Sequence, residues 1–225
     1  MKKNNFDYAA DHYTVKEDYY RNKPNEIRIR KILKLIGLNK KVLDVGCYDG
    51  TIALRLIKNN NEVWGLDASK EAVKSAKEKG VKAFIGNLEE KFPFESETFD
   101  VIFAGEIIEH ILDTESFLDE IKRVLKKDGE LILTTPNTAS LARRIMLLVG
   151  LNPFFEASFG FPKNATAGHI RFYTKDLLED FLKYKGFKVI EFTSDVVNFT
   201  PKISSTYLAN IFPKIGRGLI FKVKK

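Results

Sequence analysis

Between residues 41 and 136, short apolar runs alternate with amphipathic stretches of helical spacing. The apolar runs have the length and composition of strands and lie at 41–46, 62–67, 81–86, 99–105 and 130–136. The helical stretches lie at 50–60, 69–80 and 114–129. Strands that alternate with helices form βαβ units, whose right-handed crossovers give a parallel sheet covered on both faces. The sequence therefore predicts an α/β fold, a Rossmann-like, doubly wound, mostly parallel sheet with helices on both faces.

The first predicted strand ends in KVLDVGCYDG, residues 41–50. Gly46 allows a sharp turn and a close approach of ligand to backbone, and the N-terminus of the next helix favours a carboxylate or phosphate. A dinucleotide loop needs G-x-G-x-x-G, and here Tyr48 replaces the middle glycine. The loop therefore disfavours a dehydrogenase and favours a smaller ligand, an amino-acid moiety joined to one nucleoside.

Two carboxylates accompany this loop. Asp44 lies inside the motif, where its charge would repel a phosphate and hold an ammonium group. Asp67 ends the second predicted strand, where a carboxylate accepts hydrogen bonds from ribose hydroxyls. The alternative for Asp67, a helix-capping acid, stays open.

These motifs resemble those of class I S-adenosylmethionine-dependent methyltransferases. VLDVGCYDG is similar to that family's D-x-G-x-x-x-G motif, and VWGLDAS to its acidic second strand. FIGNLEEKFPFESETFDVIFAGEIIEHILD and RVLKKDGELILTTPN are similar to its third to fifth strands. The resemblance covers residues 38–137 and implies S-adenosylmethionine as cofactor, with S-adenosylhomocysteine as product.

The resemblance also implies roles for single residues. Asp44 and Gly46 would lie by the methionine part, Asp67 would bind the ribose, and Ala68 would pack on the adenine. Asn87, where the family often has Asp, and Leu88 would contact the adenine, although Asn87 could instead be a turn residue and Cys47 simply packed. The remaining residues of the predicted cofactor site are Cys47, Tyr48, Gly50, Gly105 and two aromatic residues expected to shield the sulfonium, Tyr13 and Tyr20.

The segment EIIEH follows the fourth strand. If it were helical, Glu106, Glu109 and His110 would project from one face. With His169 further along, these are candidate catalytic residues and candidate ligands of Mg, Mn or Fe, which accept mixed oxygen and nitrogen donors. A similar segment occurs in ubiquinone-biosynthesis O-methyltransferases and in small-RNA 2′-O-methyltransferases, and in the RNA enzymes a downstream histidine also binds metal. A metal-free active-site role for His110 and a purely structural one are the alternatives.

A single domain is expected over residues 1–225, because no repeat or long linker interrupts it. Its parts are an N-terminal helical cap (1–37), a cofactor-binding core (38–137), a substrate or lid insertion (138–173), and a C-terminal helix with closing strands (174–225). The closing strands bring the predicted sheet to seven, with the last antiparallel. Within the insertion, residues 140–155 are apolar with paired arginines, so they could form a lid, touch a membrane surface or pack on the body.

Composition limits the function classes. No apolar run reaches the roughly 20 residues of a membrane span, and the N-terminus lacks a signal-peptide pattern. With one cysteine in 225 residues, a cytoplasmic location is expected. The net charge of +7 keeps nucleic acid open as a partner, although no zinc-finger or RNP-type motif supports it.

The predicted function is methyl transfer from S-adenosylmethionine to an oxygen or nitrogen of a small-molecule, sugar or lipid-precursor acceptor. Two alternatives are an RNA 2′-O-methyltransferase and a non-catalytic cofactor-binding protein of the same fold.

Overall fold

A seven-stranded sheet forms the centre of the protein. The computed structural model describes residues 23–154, 168–200 and 203–225. The first five strands are β1 (Lys41–Val45), β2 (Glu62–Asp67), β3 (Lys82–Ile85), β4 (Phe99–Gly105) and β5 (Leu125–Pro136). The later strands are β6 (Lys188–Thr193), a short pair β7 (Val197–Asn198) and β8 (Ser204–Ser205), and β9 (Gly218–Lys224).

The strand order is β3-β2-β1-β4-β5-β9-β6. Neighbours among β1 to β5 are parallel, whereas β9 runs antiparallel to both β5 and β6. The predicted fold class is therefore confirmed, including the antiparallel last strand. The sheet order reverses between β1 and β4, and ligands of open α/β sheets bind beyond the carboxyl ends of strands at such a point.

Helices cover both faces of the sheet. They are α1 (Lys23–Ile36), α2 (Thr51–Lys58), α3 (Lys70–Glu78), α4 (Thr114–Val124), α5 (Leu141–Leu148), α6 (Lys175–Tyr184) and α7 (Thr206–Ile211). One buried apolar cluster includes Ile32, Leu56 and Val73, and a second includes Phe117, Ile121 and Leu178. Strands buried on both faces read as continuous apolar runs, which is why β1 and β4 could be recognised from the sequence.

The sequence predicts Thr114 as the cap of α4 and a helix that runs to residue 129, and the structure differs at both ends. Its cap is Asp113, whose Oδ1 accepts a 3.0 Å hydrogen bond from the Ser116 amide, and Thr114 is the first helical residue. The helix stops at Val124, and the predicted helical residues LKKDG instead begin β5. Leu125 pairs in register with Phe99 of β4, so strand pairing outweighs the helical propensity of the two lysines.

Other elements lay outside the predictions. The β7–β8 pair and α7 are too short to show a periodic pattern. Within the N-terminal cap, the sequence predicts a helix over 15–36, which is described only from Lys23. Pro24 lies in its first turn, where the missing N–H costs nothing. Within the described ranges, the helices are too short or too polar to cross a bilayer.

Candidate active site at the carboxyl ends of the strands

The loop between β1 and α2 is built from residues with positive φ. Gly46 has φ +75°, Tyr48 +47° and Gly50 +77°. The amides of Gly46 and Cys47 both donate to the carbonyl oxygen of Leu66, at 2.8 and 3.2 Å. The loop therefore folds back over the end of β2, and Tyr48 takes a conformation in which glycine is usual.

Asp67 binds this loop. Its Oδ2 accepts a 2.8 Å hydrogen bond from the Tyr48 amide, and its Oδ1 accepts a 2.9 Å bond from the Ser69 amide. Each carboxylate oxygen has a further lone pair, so ribose hydroxyls can still donate to it. Burial raises the pKa of Asp67, while the backbone hydrogen bonds act in the opposite direction.

Asp44 lies behind the loop and is only 2% exposed. Its Oδ2 is buried and has no hydrogen-bond partner among the described residues. Burial, together with the negative charge of Asp67, raises the pKa of Asp44 to about 8. A buried carboxyl oxygen without a partner is costly unless a ligand satisfies it, and a cationic group would do so.

Cys47 and Gly50 are tightly packed. A Cβ on Gly65 of β2 would lie 2.6 Å from the Cys47 sulfur, and one on Gly50 would lie 2.9 Å from Val81 Cγ2. Burial raises the pKa of the Cys47 thiol. The thiol therefore stays protonated and inert at neutral pH.

The predicted adenine-side residues follow β2 and β3. Ala68 comes directly after Asp67, and Leu88 is buried in the core. Asn87 makes turn contacts, since its Oδ1 accepts from the Glu89 amide at 3.0 Å and its Nδ2 donates to Glu90 at 2.9 Å. These contacts agree with the turn alternative and occupy part of the side chain's hydrogen-bonding capacity.

The chain leaves β4 through a left-handed residue. Gly105 ends the strand, and Glu106 has φ +56°. The condition of a helical EIIEH segment is met only in part, because a 3-10 turn, Ile108–His110, follows in place of an α-helix. The Glu106 carboxylate binds Arg28 Nη1 at 2.6 Å and accepts from Thr134 Oγ1 at 2.9 Å.

Glu109, His110 and His169 nevertheless lie together, with one ligand atom from each within 4.8 Å of the others. Glu109 is 1% exposed. Its Oε2 accepts a 2.9 Å bond from Thr135 Oγ1, and its Oε1 has no hydrogen-bond partner in the described ranges. The His169 Nε2 is 3.9 Å from that oxygen, which is too long for a hydrogen bond. Glu106 is not part of this group.

The electrostatics of this group favour neutral side chains. Burial and the Glu106 charge raise the pKa of Glu109 well above its ordinary range. Burial lowers the pKa of both histidines to about 4, helped at His110 by His169 and at His169 by Arg143. The two rings stack edge to face with centroids 4.8 Å apart. Neutral imidazoles have a lone pair for a metal ion or a proton.

The segment that carries His169 is fixed to the 3-10 turn. The amides of Ile170 and Arg171 both donate to the Glu109 carbonyl oxygen, at 3.0 and 3.1 Å. The Arg171 side chain donates to the carbonyl oxygens of Ile111, at 2.9 Å, and Leu112. Two segments far apart in sequence therefore form one wall of the site.

Helix α5 borders the site and has an exposed apolar end. Arg143 is its buried residue, whereas Leu148 is 85% exposed. Its exposed apolar neighbours are Ile145, Leu147, Val149 and Leu151. Of the three alternatives for this segment, packing on the body is the one that the exposed apolar side chains support least. Of residues 140–155, position 155 lies outside the described ranges, as do Tyr13 and Tyr20.

Sequence reasoning missed Arg28, Thr134, Thr135 and Arg143. The two threonines end β5 at the edge where the ligand was expected, so their position was a usable signal. The signal for Arg28 was weaker: it lies four residues before the buried Ile32 and so on the core side of α1.

Comparisons with known proteins agree with this geometry. A family described as methyltransferase domain matches residues 36–186. The chain is 30% identical over 161 residues to the mitochondrial ubiquinone biosynthesis O-methyltransferase of Homo sapiens, covering 68% of this chain and 42% of that protein. The corresponding enzyme of Salmonella paratyphi A is 31% identical over 121 residues, covering half of each chain. The chain thus spans about half or less of these curated relatives.

A solved structure shares the fold. It is a SAM-dependent methyltransferase from Archaeoglobus fulgidus, 17% identical, with a TM-score of 0.66 over 93% of this chain and 97% of that one. Together with the family match over residues 36–186, the strand order and the glycine loop, this places the chain in the class I S-adenosylmethionine-dependent methyltransferase family.

Proposed function

We propose that this protein transfers a methyl group from S-adenosylmethionine to an oxygen of a small molecule, a sugar or a lipid precursor. The observation that carries the proposal is the buried Oδ2 of Asp44, which has no hydrogen-bond partner among the residues that the structure describes, next to a loop held by Asp67. The cluster of Glu109, His110 and His169, next to the turn that follows β4, supports the proposal.

The residues of the loop fit the cofactor. Asp44 would accept from its ammonium group, which satisfies the buried oxygen, and Asp67 would accept from the ribose hydroxyls. Gly46 gives the loop its turn at φ +75°, while Ile107 fills the side of the backbone where a Cβ would lie. The N-terminus of α2 after Gly50 suits the cofactor carboxylate. When bound, the cofactor supplies an activated methyl group on a sulfonium. The protein's task is then to orient the acceptor oxygen and remove its proton.

Glu109, His110 and His169 fit a divalent cation. The donor set of one carboxylate and two neutral imidazoles suits a transition ion such as Mn or Fe better than Mg. The Oε1 of Glu109, which has no hydrogen-bond partner within the described part of the chain, is the atom that a cation would satisfy. Such an ion, when bound, supplies Lewis acidity that lowers the pKa of a hydroxyl. Thr135 and the backbone of the 168–171 segment hold Glu109 in place for this role.

A metal-free mechanism is a second candidate. With its pKa lowered to about 4, the His110 ring is neutral at neutral pH, and it is a weak base that would take the proton of an acceptor hydroxyl as the methyl group is transferred. Because His110 is more exposed than Glu109 or His169, it is the member of the group that an acceptor can reach.

The acceptor is expected to have an apolar part. The exposed end of α5 continues from the site as an apolar surface, which suits a lipid-like acceptor or peripheral contact with a membrane. The prediction of a cytoplasmic location stays a prediction. It rests on the single cysteine, and the human relative is described as mitochondrial.

The test is transfer of a radiolabelled methyl group from S-adenosylmethionine to a panel of phenols, sugars and prenylated phenols, with and without EDTA. Label in a hydroxyl-bearing acceptor is the expected result. Transfer that persists after EDTA favours His110 as the base over the metal. Binding of cofactor without transfer to any panel member would favour the non-catalytic alternative.

A further inference from the structure

We propose that the Arg28–Glu106 ion pair is a positioning device that holds the turn after β4 and thereby sets the shape of the cofactor site. This inference rests on the proposed function, because the site that it acts on is the proposed S-adenosylmethionine site. It assigns Glu106 a different role from the metal ligand predicted from the sequence.

The pair is close and shielded from water. Arg28 Nη1 lies 2.6 Å from Glu106 Oε2, and the two side chains are 9% and 26% exposed. The other carboxylate oxygen of Glu106 accepts from Thr134 Oγ1 at 2.9 Å, and the Glu106 amide donates to the Thr134 carbonyl oxygen at 2.9 Å. Glu106 is therefore fixed between α1 and β5 by both its side chain and its backbone.

The backbone of Glu106 requires this support. Its φ of +56° lies in the left-handed region, which a residue with a side chain adopts only where its surroundings hold it there. This residue follows the last residue of β4 and leads through Ile107 into the 3-10 turn. Loss of the carboxylate contacts would release the turn toward ordinary backbone angles.

The turn touches the cofactor loop directly. Ile107, the next residue, packs so closely on Gly46 that a Cβ there would lie 2.2 Å from Ile107 Cδ1. Glu109 and His110 follow within the same turn. A displacement of Glu106 would therefore move Ile107 against the loop on one side and Glu109 and His110 on the other.

The two possible roles of Glu106 predict opposite changes in Mn²⁺ affinity when Arg28 is removed. If Glu106 were a metal ligand, Arg28 would compete with the cation, and its removal would tighten Mn²⁺ binding. If Glu106 positions the turn, removal of either Arg28 or Glu106 disturbs the same turn and weakens the binding of S-adenosylhomocysteine and of Mn²⁺. A double-substitution cycle separates the two cases.

The experiment is calorimetric titration of S-adenosylhomocysteine and Mn²⁺ into the wild type, Arg28→Gln, Glu106→Gln and the double variant. Each single substitution is expected to weaken S-adenosylhomocysteine binding by about 10-fold, the scale of coupling between contacting charges. The double variant is expected to bind no more weakly than the weaker single variant, and Arg28→Lys is expected to recover part of the affinity. The matched control is Arg30→Gln, which breaks the exposed Arg30–Glu26 pair on the same helix and should leave both affinities unchanged.

Single variants that bind S-adenosylhomocysteine like the wild type, losses that add in the double variant, or an Arg28→Gln protein that binds Mn²⁺ more tightly would each overturn the inference. If Arg28→Gln does not fold, Thr134→Val removes the other side-chain contact of Glu106, and an unchanged affinity in that variant would also overturn it. A wild-type protein that binds no S-adenosylhomocysteine would instead overturn the proposed function and the inference with it.

Discussion

Ile107 packs on Gly46 with no room for a side chain between them, since a Cβ on Gly46 would lie 2.2 Å from Ile107 Cδ1. This contact joins the loop after β1 to the turn after β4, the two segments that contribute most to the site. Gly46 is thus required both for its φ of +75° and for the space it leaves.

Gly46→Ala is expected to destabilise the protein more than Gly37→Ala. Both glycines have positive φ, +75° and +80°, but a Cβ on Gly37 would meet nothing within 4 Å. The backbone strain is therefore matched, and the extra loss at Gly46 reports overpacking, which costs about 1–3 kcal/mol. Urea denaturation of the two variants measures the difference. Equal losses would show that Ile107 moves aside without cost.

The contribution of Asp44 to the stability of the ligand-free protein is expected to fall with rising pH. The folded pKa of Asp44, about 8, lies above its ordinary value of 3.8, so the folded state keeps a proton that the unfolded chain loses. Its contribution to stability is therefore complete below about pH 4 and is lost as the pH rises through about 8.

Asp44→Asn removes this titration. Urea midpoints measured between about pH 5 and pH 8 should fall more steeply for the wild type than for Asp44→Asn. Asp100→Asn, at the opposite end of the sheet, is the control and should keep the wild-type slope over this range, because its pKa is lowered and not raised. Parallel curves for wild type and Asp44→Asn would contradict the prediction.

Glu109→Gln is expected to weaken Mn²⁺ binding strongly while S-adenosylhomocysteine binding stays near the wild-type value. Glutamine keeps the size of the side chain and can still accept the Thr135 hydrogen bond, but it lacks the ionisable oxygen that a cation would bind. Loss of even an outer-shell partner costs about 10- to 100-fold in metal affinity, so the loss of a ligand should reach at least that range. Titration calorimetry provides the measurement, with the exposed Glu115→Gln as control.

If Glu109→Gln binds Mn²⁺ as the wild type does, these three residues do not form the metal site. The metal-free mechanism through His110 would then be preferred.

Much of the fold could be predicted from the sequence, because each strand of the parallel core is a local apolar run with a turn signal at its end. The sequence predicts Ser69 as the cap of the helix over 69–80, and in the structure its hydroxyl accepts from the Ala72 amide at 3.2 Å. The end of α4 could not be predicted, since Leu125 becomes a strand residue only through pairing with Phe99. Local propensity contains no information on such pairing.

Most of the candidate site was predictable because it follows strand ends, whereas His169, which does not, was predicted through the resemblance to the RNA methyltransferases. Asp44, Asp67 and Glu109 were chosen by their position in the chain, and the structure brings each to the same edge of the sheet. The Arg28–Glu106 contact joins residues from distant parts of the chain, and nothing local to either residue indicates its partner.

Leu148→Glu is expected to reduce binding of the protein to vesicles of anionic phospholipid. Leu148 is 85% exposed at the end of α5, and withdrawal of a leucine side chain from an apolar environment costs about 1.5–3 kcal/mol, or roughly 10-fold or more in partitioning. Liposome flotation checks this, with Leu177→Glu as the control at an exposed leucine of α6. Wild-type protein that stays wholly in the soluble fraction would exclude the membrane contact.

Asp67 provides the most direct test of the cofactor site, because its two oxygens bind the Tyr48 and Ser69 amides and would also receive the ribose. Hydrogen bonds to a charged group contribute about 1.5–3 kcal/mol each, so Asp67→Ala should weaken binding by on the order of 100-fold. The decisive measurement is calorimetric titration of S-adenosylhomocysteine into the wild type and this variant. One saturable site in the wild type, nearly lost in Asp67→Ala, is the predicted result; no heat with the wild type, or equal affinity in both proteins, would contradict the account.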